Sequence, residues 1–354
     1  MLLLGAIVVS FLVTMLFMLA LRPLAFSFDL VDRPGGRKAH IGEVPIIGGV
    51  CMFMGVIVGL TLLPELNSQS LFLLLAGGVL VVVGLIDDRF SLSPTMRLGA
   101  QLAACLILIY GGGLLIADIG NPLALGTIEL GPFAVVGTVL ITLSVVNAFN
   151  MVDGVDGLAG CMAVVSLTAI ALISLGSPSM AAVSAVSVAA ISGFLLFNFP
   201  VISNRRVRSF MGDSGSTFIG LIVVWVTVGV SQGDDRITTP VIGLWFAAVP
   251  IFDLFTCFVR RLARGKSPFT PGRDHFHHVL KRGGMRVRAV LFTLTGLQAL
   301  YAGIGLVGHF AGIADPIMFG AWAVLGISQR RVIRAIALAY RKAHWGKPVV
   351  HTLV

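Results

Sequence analysis

The feature of this sequence that most constrains its fold is a series of long apolar runs separated by short polar connections. Windows of about 20 apolar residues, the length of a helix that crosses a bilayer, predict about eleven spans. They are 1–21, 45–63, 70–86, 97–116, 132–147, 158–176, 179–199, 214–231, 240–259, 288–310 and 314–329. With 57% hydrophobic and 12% charged residues and a mean hydropathy of +0.99, the chain is too apolar for a soluble domain. We therefore predict an all-α polytopic membrane protein, built as a single domain over residues 1–354.

The basic residues fall almost entirely on one side of this arrangement. Of the 25 Lys and Arg, all but Arg236 lie in or beside alternate connections and in the tail after residue 329. By the positive-inside rule, the C-terminus and the basic loops are expected in the cytoplasm and the N-terminus outside. Residues 1–21 have no basic leader and no small-residue cleavage pattern, so we interpret them as a retained first span.

The net charge of +9 raises the question of nucleic acid, but the bases are scattered between spans and form no single patch. An anionic membrane face or anionic substrates fit that distribution better. The four cysteines all lie inside apolar runs, where Cys behaves as a small hydrophobe, so no disulfide framework is predicted.

The stretch from Asn147 to Gly160, NAFNMVDGVDGLAG, places two Asn and two Asp between two apolar runs. Such residues are unfavourable against lipid and usually serve a ligand. Asp153 and Asp156 are three residues apart, so on a helical turn both carboxylates point the same way, and the glycines let a bound group approach the backbone. The stretch therefore predicts a polar pocket that carries acids.

Two further acidic positions lie at span ends. Asp87 and Asp88 close the third span, and a helix C-terminus repels acids, so their presence favours binding Mg²⁺ or accepting a proton over a solvated acidic pair. Arg97, at the start of the fourth span, is placed to meet a phosphate. Asp213 opens the eighth span within Gly-Asp-Ser-Gly-Ser, where the alternative is a simple helix N-cap.

The longest basic connection, from Arg260 to Arg282, contains His275, His277 and His278. Histidines so close together suggest zinc, but the connection has no Cys and no pair of His spaced i, i+4. Donors for phosphate oxygens are the better interpretation. The neighbouring bases are Arg260, Arg261, Arg264, Lys266 and Arg273.

One face of the predicted membrane protein thus collects acids, which hold a divalent metal, and bases, which hold phosphates. That combination suits phosphoryl transfer, whose catalysis is mostly positioning and neutralisation of charge. The alternative from another class is a transporter of an anionic substrate, but its charges are expected near the bilayer midplane in interrupted helices of matched halves. No such halves are visible.

These residues resemble the polyprenyl-phosphate N-acetylhexosamine-1-phosphate transferases. The resemblance rests on Asp87-Asp88, on NAFNMVDGVDGLAG, on FMGDSGS from Phe210 to Ser216 and on the HFHH loop, four separated motifs that span nearly the whole chain. The motifs look most like the bacterial branch that uses undecaprenyl phosphate and GlcNAc-1-phosphate. The peptidoglycan branch typically has Lys where this chain has Ser91 and a third consecutive His where it has Phe276, which argues against a muropeptide substrate.

The resemblance implies transfer of GlcNAc-1-phosphate from UDP-GlcNAc to undecaprenyl phosphate, with release of UMP, at the cytoplasmic face of a bacterial inner membrane. The product, undecaprenyl-diphosphate-GlcNAc, would start O-antigen or a related cell-surface glycan. Another UDP-N-acetylhexosamine remains an alternative, because relatives that use other sugars share these motifs. The sequence does not fix the oligomeric state, and a homodimer is one expectation.

The resemblance also implies residue roles. Asp213 and Asn150 would hold Mg²⁺, or Mn²⁺ in its place, on the pyrophosphate. Asp156 would lie near the uracil and Arg97 would contact phosphate. Residues expected to bind the sugar nucleotide are Asn147, Arg261, His275, His277 and His278.

Asp87 would activate the lipid phosphate, with Asp88 and Asp153 in support. Two routes remain open at this stage. In the direct route the lipid phosphate displaces UMP, and in the covalent route a carboxylate of the Asp87-Asp88 pair first takes the phospho-sugar. The direct route is favoured because the acceptor is already an anionic nucleophile.

Overall fold

The fold is a bundle of helices, many of them long and apolar enough to cross a membrane. A computed structural model describes residues 1–33, 42–64, 67–201, 208–265, 267, 272 and 274–343. Its helices are α1 (Leu2–Ala20), α2 (Arg22–Ser27), α3 (Gly48–Thr61), α4 (Ser68–Phe90), α5 (Pro94–Tyr110), α6 (Ala134–Val152), α7 (Leu158–Ile173), α8 (Pro178–Asn198), α9 (Gly212–Ser231), α10 (Pro240–Phe246), α11 (Ala248–Leu262), α12 (Phe276–Arg282), α13 (Val287–Phe310) and α14 (Asp315–Ala343). Two short strands, β1 (Val31–Asp32) and β2 (Val44–Pro45), pair antiparallel.

The prediction of an all-α polytopic membrane protein is confirmed at this level. Within the described residues, seven helices are long and apolar enough to cross a membrane, namely α1, α4, α6, α7, α8, α9 and α13, or eight if the bent pair α10 and α11 counts as one. Each of the eleven predicted spans contains a helix, but α3 and α5 are shorter than a full span, with 14 and 17 residues. In α14 the apolar part is brief because Arg330 and Arg331 follow.

The predicted span 240–259 is sharply bent. Its halves α10 and α11 meet at 87°, and Pro250 in the first turn of α11 has no N–H to offer the carbonyl four residues earlier. The fully buried Gln298 of α13 repairs this gap. Its Nε2 donates to Phe246 O over 2.7 Å and its Oε1 accepts from Val249 N over 3.0 Å. The bend directs the second half of the span, with its basic end, toward the connection before α12.

Helix α9 lies at the centre of the bundle. Of its most apolar window 89% is buried, against 22% for α1, and it packs against α3, α4, α6 and α7. At its N-terminus the backbone of α4 comes very close, since a Cβ built on Gly84 would lie 2.3 Å from Ser214 Cα. This approach brings the polar end of α4 beside the first turn of α9.

Backbone pairing joins the loops on this face. Phe210 N donates to Pro45 O over 2.8 Å and Gly48 N donates to Phe210 O over 3.1 Å, so β2 is fixed to the segment that leads into α9. On the opposite face, residues 117–131 form a small hairpin that includes an antiparallel bridge between Asp118 and Glu129.

The close approach at Gly84 predicts different outcomes for two glycines of the same helix. Gly84→Ala forces a methyl group into the backbone of Ser214 and should destabilise the protein by about 1–3 kcal/mol. Gly78→Ala is the matched control, because a Cβ there meets Phe53 at an ordinary 3.4 Å and Ala improves helix propensity. The apparent melting temperature in detergent checks this. Equal melting temperatures for the two variants would contradict the packing.

Candidate functional site

A cavity of about 790 Å³ lies where the polar ends of α4, α5, α6 and α9 meet. We call it the acidic cavity. Seven of the residues predicted from the sequence to form a site line it together. They are Asp87, Asp88, Arg97, Asn150, Asp153, Asp156 and Asp213.

The carboxylate of Asp213 connects three of the helices. Its Oδ1 accepts from Asn150 Nδ2 over 2.9 Å and its Oδ2 accepts from Arg97 Nη1 over 3.4 Å. Arg97 Nη1 also lies 3.5 Å from Asp87 Oδ2. The N-cap interpretation of Asp213 is wrong, because Met211 occupies the cap position and Asp213 is in the first turn of α9. Its side chain is therefore directed to the cavity and not to its own helix end.

Asp88 supplies the missing cap. Its Oδ1 accepts from Asp213 N over 2.9 Å, and its Oδ2 accepts from Ser214 Oγ over 3.1 Å and Ser214 N over 3.4 Å. A carboxylate at a helix N-terminus is favourable because the exposed N–H groups carry partial positive charge. Gly212, with φ of +74°, permits this contact, since a Cβ there would lie 2.4 Å from Asp88 Oδ2.

The adjacent Asp87 points to different partners. Its Oδ1 accepts from Leu92 N over 2.6 Å, just beyond the end of α4, and its Oδ2 faces Arg97. Neighbouring residues on a helix are about 100° apart, so the pair of the sequence becomes two separate carboxylates. One holds α9, and the other faces a guanidinium at the cavity.

Asp153 and Asp156 do not lie on a helical turn, so that part of the prediction is wrong. Residues 153–157 form a connection between α6 and α7, yet both side chains line the acidic cavity. Loss of hydration raises the pKa of Asp153 well above its usual value, and repulsion from Asp213, Asp156 and Asp88 adds to it. Asp156 forms an ion pair with Arg208.

Four residues of this region were not assigned a role from the sequence, and the first is Asp32 of β1, which lines the acidic cavity. Arg208 lies in the basic connection that precedes α9. Asn198 is buried at the end of α8, where its Oδ1 accepts from Gly157 N over 2.6 Å and its Nδ2 donates to Ser209 O over 2.9 Å. An Asn that ends an apolar helix was the available signal. Lys281 reaches across from α12, with its Nζ 3.5 Å from Gly154 O.

Asn147 is placed away from the acidic cavity. Its Nδ2 donates to Gln101 Oε1 over 2.7 Å and to Leu143 O over 2.8 Å, and Gln101 Nε2 lies 3.4 Å from its Oδ1. This amide pair joins α5 to α6. A substrate contact by Asn147 remains a prediction, and the geometry adds no support for it.

The histidine connection is fixed from behind by the bent span. His275 Nδ1 lies 3.0 Å from Asp253 Oδ2, and Phe276 N donates to Asp253 Oδ1 over 2.8 Å. Burial alone would lower the pKa of His275, but the hydrogen bond with Asp253, with a further contribution from Cys257, raises it to about 10. Asp253 is 1% exposed. His275 is therefore a positively charged partner in a buried ion pair.

His277 lies nearer the acidic cavity. A Cβ on Gly154 would be 2.5 Å from His277 Nε2, so this ring borders the connection that carries Asp153. Burial, with repulsion from His278 and His275, lowers the pKa of His277 to about 2, and the ring is neutral. Its buried Nδ1 has no hydrogen-bond partner within the described part of the chain.

Arg261, His275, His277 and His278 are not among the residues that line the acidic cavity. The rings of His277 and His278 are 4.2 Å apart between centroids. Arg261 is 6% exposed and its guanidinium borders Gly272. These four predicted residues therefore form a group beside the cavity, and their substrate contacts remain predictions.

The fold changes one argument about zinc. The connection itself has no Cys, but Cys257 Sγ lies 3.5 Å from His275 Nδ1, and the ligand atoms of Asp253, Cys257 and His275 lie within 4.8 Å of one another. Among the described residues this is the one such trio. Its members already bond to each other and to Phe276 N, so a structural ion pair accounts for them.

The acidic cavity offers a different donor set. Its candidate ligand atoms are carboxylate oxygens and the amide oxygen of Asn150, whose Nδ2 is used by Asp213 and Ser216 at 2.9 Å each. Hard divalent cations prefer such oxygens. The mutual repulsion that raises the pKa of Asp153 is also the kind of charge excess that a cation relieves. The residues present fit a divalent metal.

Comparison with known proteins identifies the family and several relatives of this chain. The family described as Glycosyl transferase family 4 matches residues 70–231. The undecaprenyl-phosphate alpha-N-acetylglucosaminyl 1-phosphate transferase of Escherichia coli strain K12 is 35% identical over 303 residues, which cover 85% of this chain and 82% of that protein. The protein of the same name from Pasteurella multocida strain Pm70 is 35% identical over 328 residues, 90% of each chain. That from Yersinia pestis is 36% identical over 301 residues, 84% of this chain and 82% of its own.

The Asp253–His275 pair predicts a distinctive pH dependence of stability. The pKa of His275 is about 10 in the folded protein and near 6.5 in an unfolded chain. The pairing of protonated His275 with Asp253 therefore stabilises the fold fully below about pH 6.5. That stabilisation is lost as the pH rises toward 10. Between pH 7 and 10 the apparent melting temperature should fall more steeply in the unsubstituted protein than in Asp253→Asn.

Asp274→Asn is the control, because Asp274 is the adjacent carboxylate and pairs with Arg260 over 2.8 Å instead. Its melting temperature should keep the steep dependence on pH. Parallel curves for the unsubstituted protein and Asp253→Asn would show that the pair does not hold the proton.

Proposed function

Because this chain belongs to glycosyl transferase family 4, we propose that it transfers GlcNAc-1-phosphate from UDP-GlcNAc to undecaprenyl phosphate. The transfer releases UMP and gives undecaprenyl-diphosphate-GlcNAc, the start of an O-antigen or related surface glycan. One observation carries the proposal. The acidic cavity gathers six carboxylates, Asn150 and Arg97 at or beside the ends of membrane helices, where a lipid phosphate and a soluble nucleotide can meet.

The metal in this proposal is Mg²⁺, with Mn²⁺ as a substitute, and Asp213 and Asn150 would hold it. When bound, it would neutralise the pyrophosphate charge that grows as UMP leaves. Asn150 is oriented for this task by its bonds to Asp213 and Ser216, both 2.9 Å. Asp88 acts indirectly, because it fixes the helix turn that carries Asp213.

The cationic residues would bind the two anionic substrates. Arg97 lies between Asp87 and Asp213, at 3.5 and 3.4 Å, so its guanidinium would exchange a carboxylate for a phosphate oxygen when substrate arrives. Lys281 and Arg208 border the side of the cavity that carries Asp156. We assign that side to the nucleotide, together with Arg261 and the histidine group.

We favour direct attack by the lipid phosphate over a covalent enzyme intermediate. Asp88 is a poor nucleophile in this setting, because both of its oxygens accept hydrogen bonds from the first turn of α9. Asp87 is the remaining carboxylate of the pair, and its position beside Arg97 suits a base that takes a proton from the lipid phosphate. The acceptor is already an anion and needs only to be brought into line.

Two alternatives differ from this proposal in what they predict. Another UDP-N-acetylhexosamine would leave the chemistry unchanged, and a panel of UDP-sugars separates it from GlcNAc. A transporter would accumulate intact nucleotide sugar in sealed vesicles without UMP. The carboxylates of the acidic cavity lie at helix ends or in connections and not at helix centres, which supports an enzyme.

We further propose that α3, α5 and α14 cross the bilayer with the others, which gives eleven spans, an inner-membrane location and an acidic cavity that opens to the cytoplasm. The N-terminus would then lie outside and the C-terminus inside. Support comes from the distribution of bases described above. Asp118, Glu129 and Asp315 occupy the other face, where Asp315 Oδ2 accepts from Asn121 N over 3.0 Å.

Purified protein in detergent with Mg²⁺, undecaprenyl phosphate and UDP-GlcNAc should release UMP, and Asp213→Asn should lower the rate on the order of 10²-fold or more. The physical reason is loss of one charged group that organises the metal and Arg97. Asp118→Asn, a carboxylate on the opposite face, is the control and should keep full activity. Release of UMP at the unsubstituted rate by Asp213→Asn would refute the assigned role.

Single cysteines in a background that lacks the four native ones test the eleven-span arrangement. Exposed positions Ser91, Ser267 and Ala343 should label from the cytoplasmic side, and the exposed Ser68 and Asp235 from outside. Ser231 is unsuitable because it is 3% exposed. Labelling of Ala343 and Ser68 from the same side would exclude this topology.

A further inference from the structure

A second cavity, of about 600 Å³, lies between the ends of α11 and α12 and the last turns of α14. We call it the arginine cavity. It shares none of its lining residues with the acidic cavity. Its charged lining consists of one carboxylate, Asp274, and six arginines. The arginines are Arg260, Arg264, Arg282, Arg330, Arg334 and Arg341.

The single carboxylate is engaged at one end of the arginine cavity. Arg260 Nη1 donates to Asp274 Oδ1 over 2.8 Å, and Arg264 Nη1 lies 4.0 Å from the same oxygen. Within the described lining, α14 contributes three further guanidinium groups and no acid. Like charges that line one cavity repel, and the repulsion weakens when an anion enters between them.

Arg330 gives an independent indication of a missing partner. Its Nε is buried and has no hydrogen-bond partner among the described residues. A buried N–H without an acceptor is costly, and for a charged group the cost is larger. Arg330 lines the arginine cavity, so the side chain that carries this N–H borders the place where an anion would bind. The guanidinium fork matches the paired oxygens of a phosphoryl group better than it matches a monatomic anion.

The position of α14 relates this cavity to the membrane surface. Arg330 follows Asp315 by fifteen residues, which places it about 22 Å along the helix, and Arg341 lies about 39 Å along it. A hydrocarbon core is about 30 Å thick. The arginines of α14 therefore span the depth at which headgroup phosphates lie on the side opposite to Asp315.

The cavity also has an apolar edge. Leu338 lines it and is 58% exposed, with Val279 and Ala337 beside it. A free phosphate ion would leave this apolar edge exposed to water, whereas the glycerol and upper acyl carbons of a lipid would cover it. The lining thus combines phosphate donors with a surface for the start of an acyl chain.

We propose that the arginine cavity binds the phosphoryl group of an anionic phospholipid headgroup. The bound lipid would neutralise the convergent arginines and connect α14 to the ends of α11 and α12. Arg261 lies in the last turn of α11 and His275 caps the start of α12, so both belong to the elements that the lipid would connect. A filled cavity would therefore stabilise the helices that hold the histidine group.

The test uses full-length protein, delipidated in a nonionic detergent and titrated with short-chain phosphatidylglycerol or with phosphatidylcholine of the same chain length. Binding, followed by the rise in apparent melting temperature and by native mass spectrometry, should favour phosphatidylglycerol. Arg330→Gln and Arg334→Gln should each weaken it about fivefold. Because Arg334 is exposed, Arg334→Gln should fold normally and tests the cavity even if Arg330→Gln is destabilised.

Arg331→Gln is the matched control. Arg331 is the exposed neighbour of Arg330 on the same helix and does not line the cavity, so affinity should be unchanged. Asp213→Asn should also bind phosphatidylglycerol normally, which separates this site from the proposed catalytic one. Equal losses in Arg331→Gln and Arg334→Gln, or no preference for the anionic lipid, would overturn the proposal.

Inorganic phosphate distinguishes the source of the phosphoryl group. If a lipid is the ligand, millimolar phosphate should neither raise the melting temperature nor displace phosphatidylglycerol. Stabilisation by phosphate alone, lost in Arg330→Gln and Arg334→Gln, would keep the phosphoryl site but assign it to a soluble anion and overturn the lipid assignment.

Discussion

The acidic cavity depends on the contact between the end of α4 and the start of α9. Asp88 accepts hydrogen bonds from the backbone of Asp213 and Ser214, and the helices approach closely enough only because Gly84 and Gly212 lack side chains. This one capping contact places Asp213 beside Asn150 and Arg97. Without it, the carboxylates of four separate sequence regions would have no reason to share a cavity.

The same structure shows how polar groups are accommodated deep within an apolar bundle. Gln298 forms hydrogen bonds with the backbone N–H and C=O groups left without partners by the break between α10 and α11. Gln101 and Asn147 satisfy each other between α5 and α6. Buried polar groups without partners are expensive in a membrane, so these amides are tolerated because each is paired. Each of them also fixes a helix that carries part of the site.

The charges on the basic side are divided between two places. Arg97, Arg208 and Lys281 are close to carboxylates around the acidic cavity, as the Arg208–Asp156 pair shows. Between α11, α12 and α14 the arginines far exceed the single carboxylate Asp274. The basic side of the protein therefore borders one cavity that is rich in acids and a second that has a single acid in its described lining.

The sequence by itself determined the membrane class, the helix positions and most of the charged residues of the acidic cavity. Apolar runs of span length and acids at their ends have few other uses, and that information is local. It did not determine that Asp88 caps α9, that Asp153 and Asp156 leave the helix, that Asn147 pairs with Gln101 or that Cys257 lies beside His275. Those outcomes depend on which helices pack together and how closely, because a side chain takes the nearest partner that the packing supplies. Only the tertiary structure decides that.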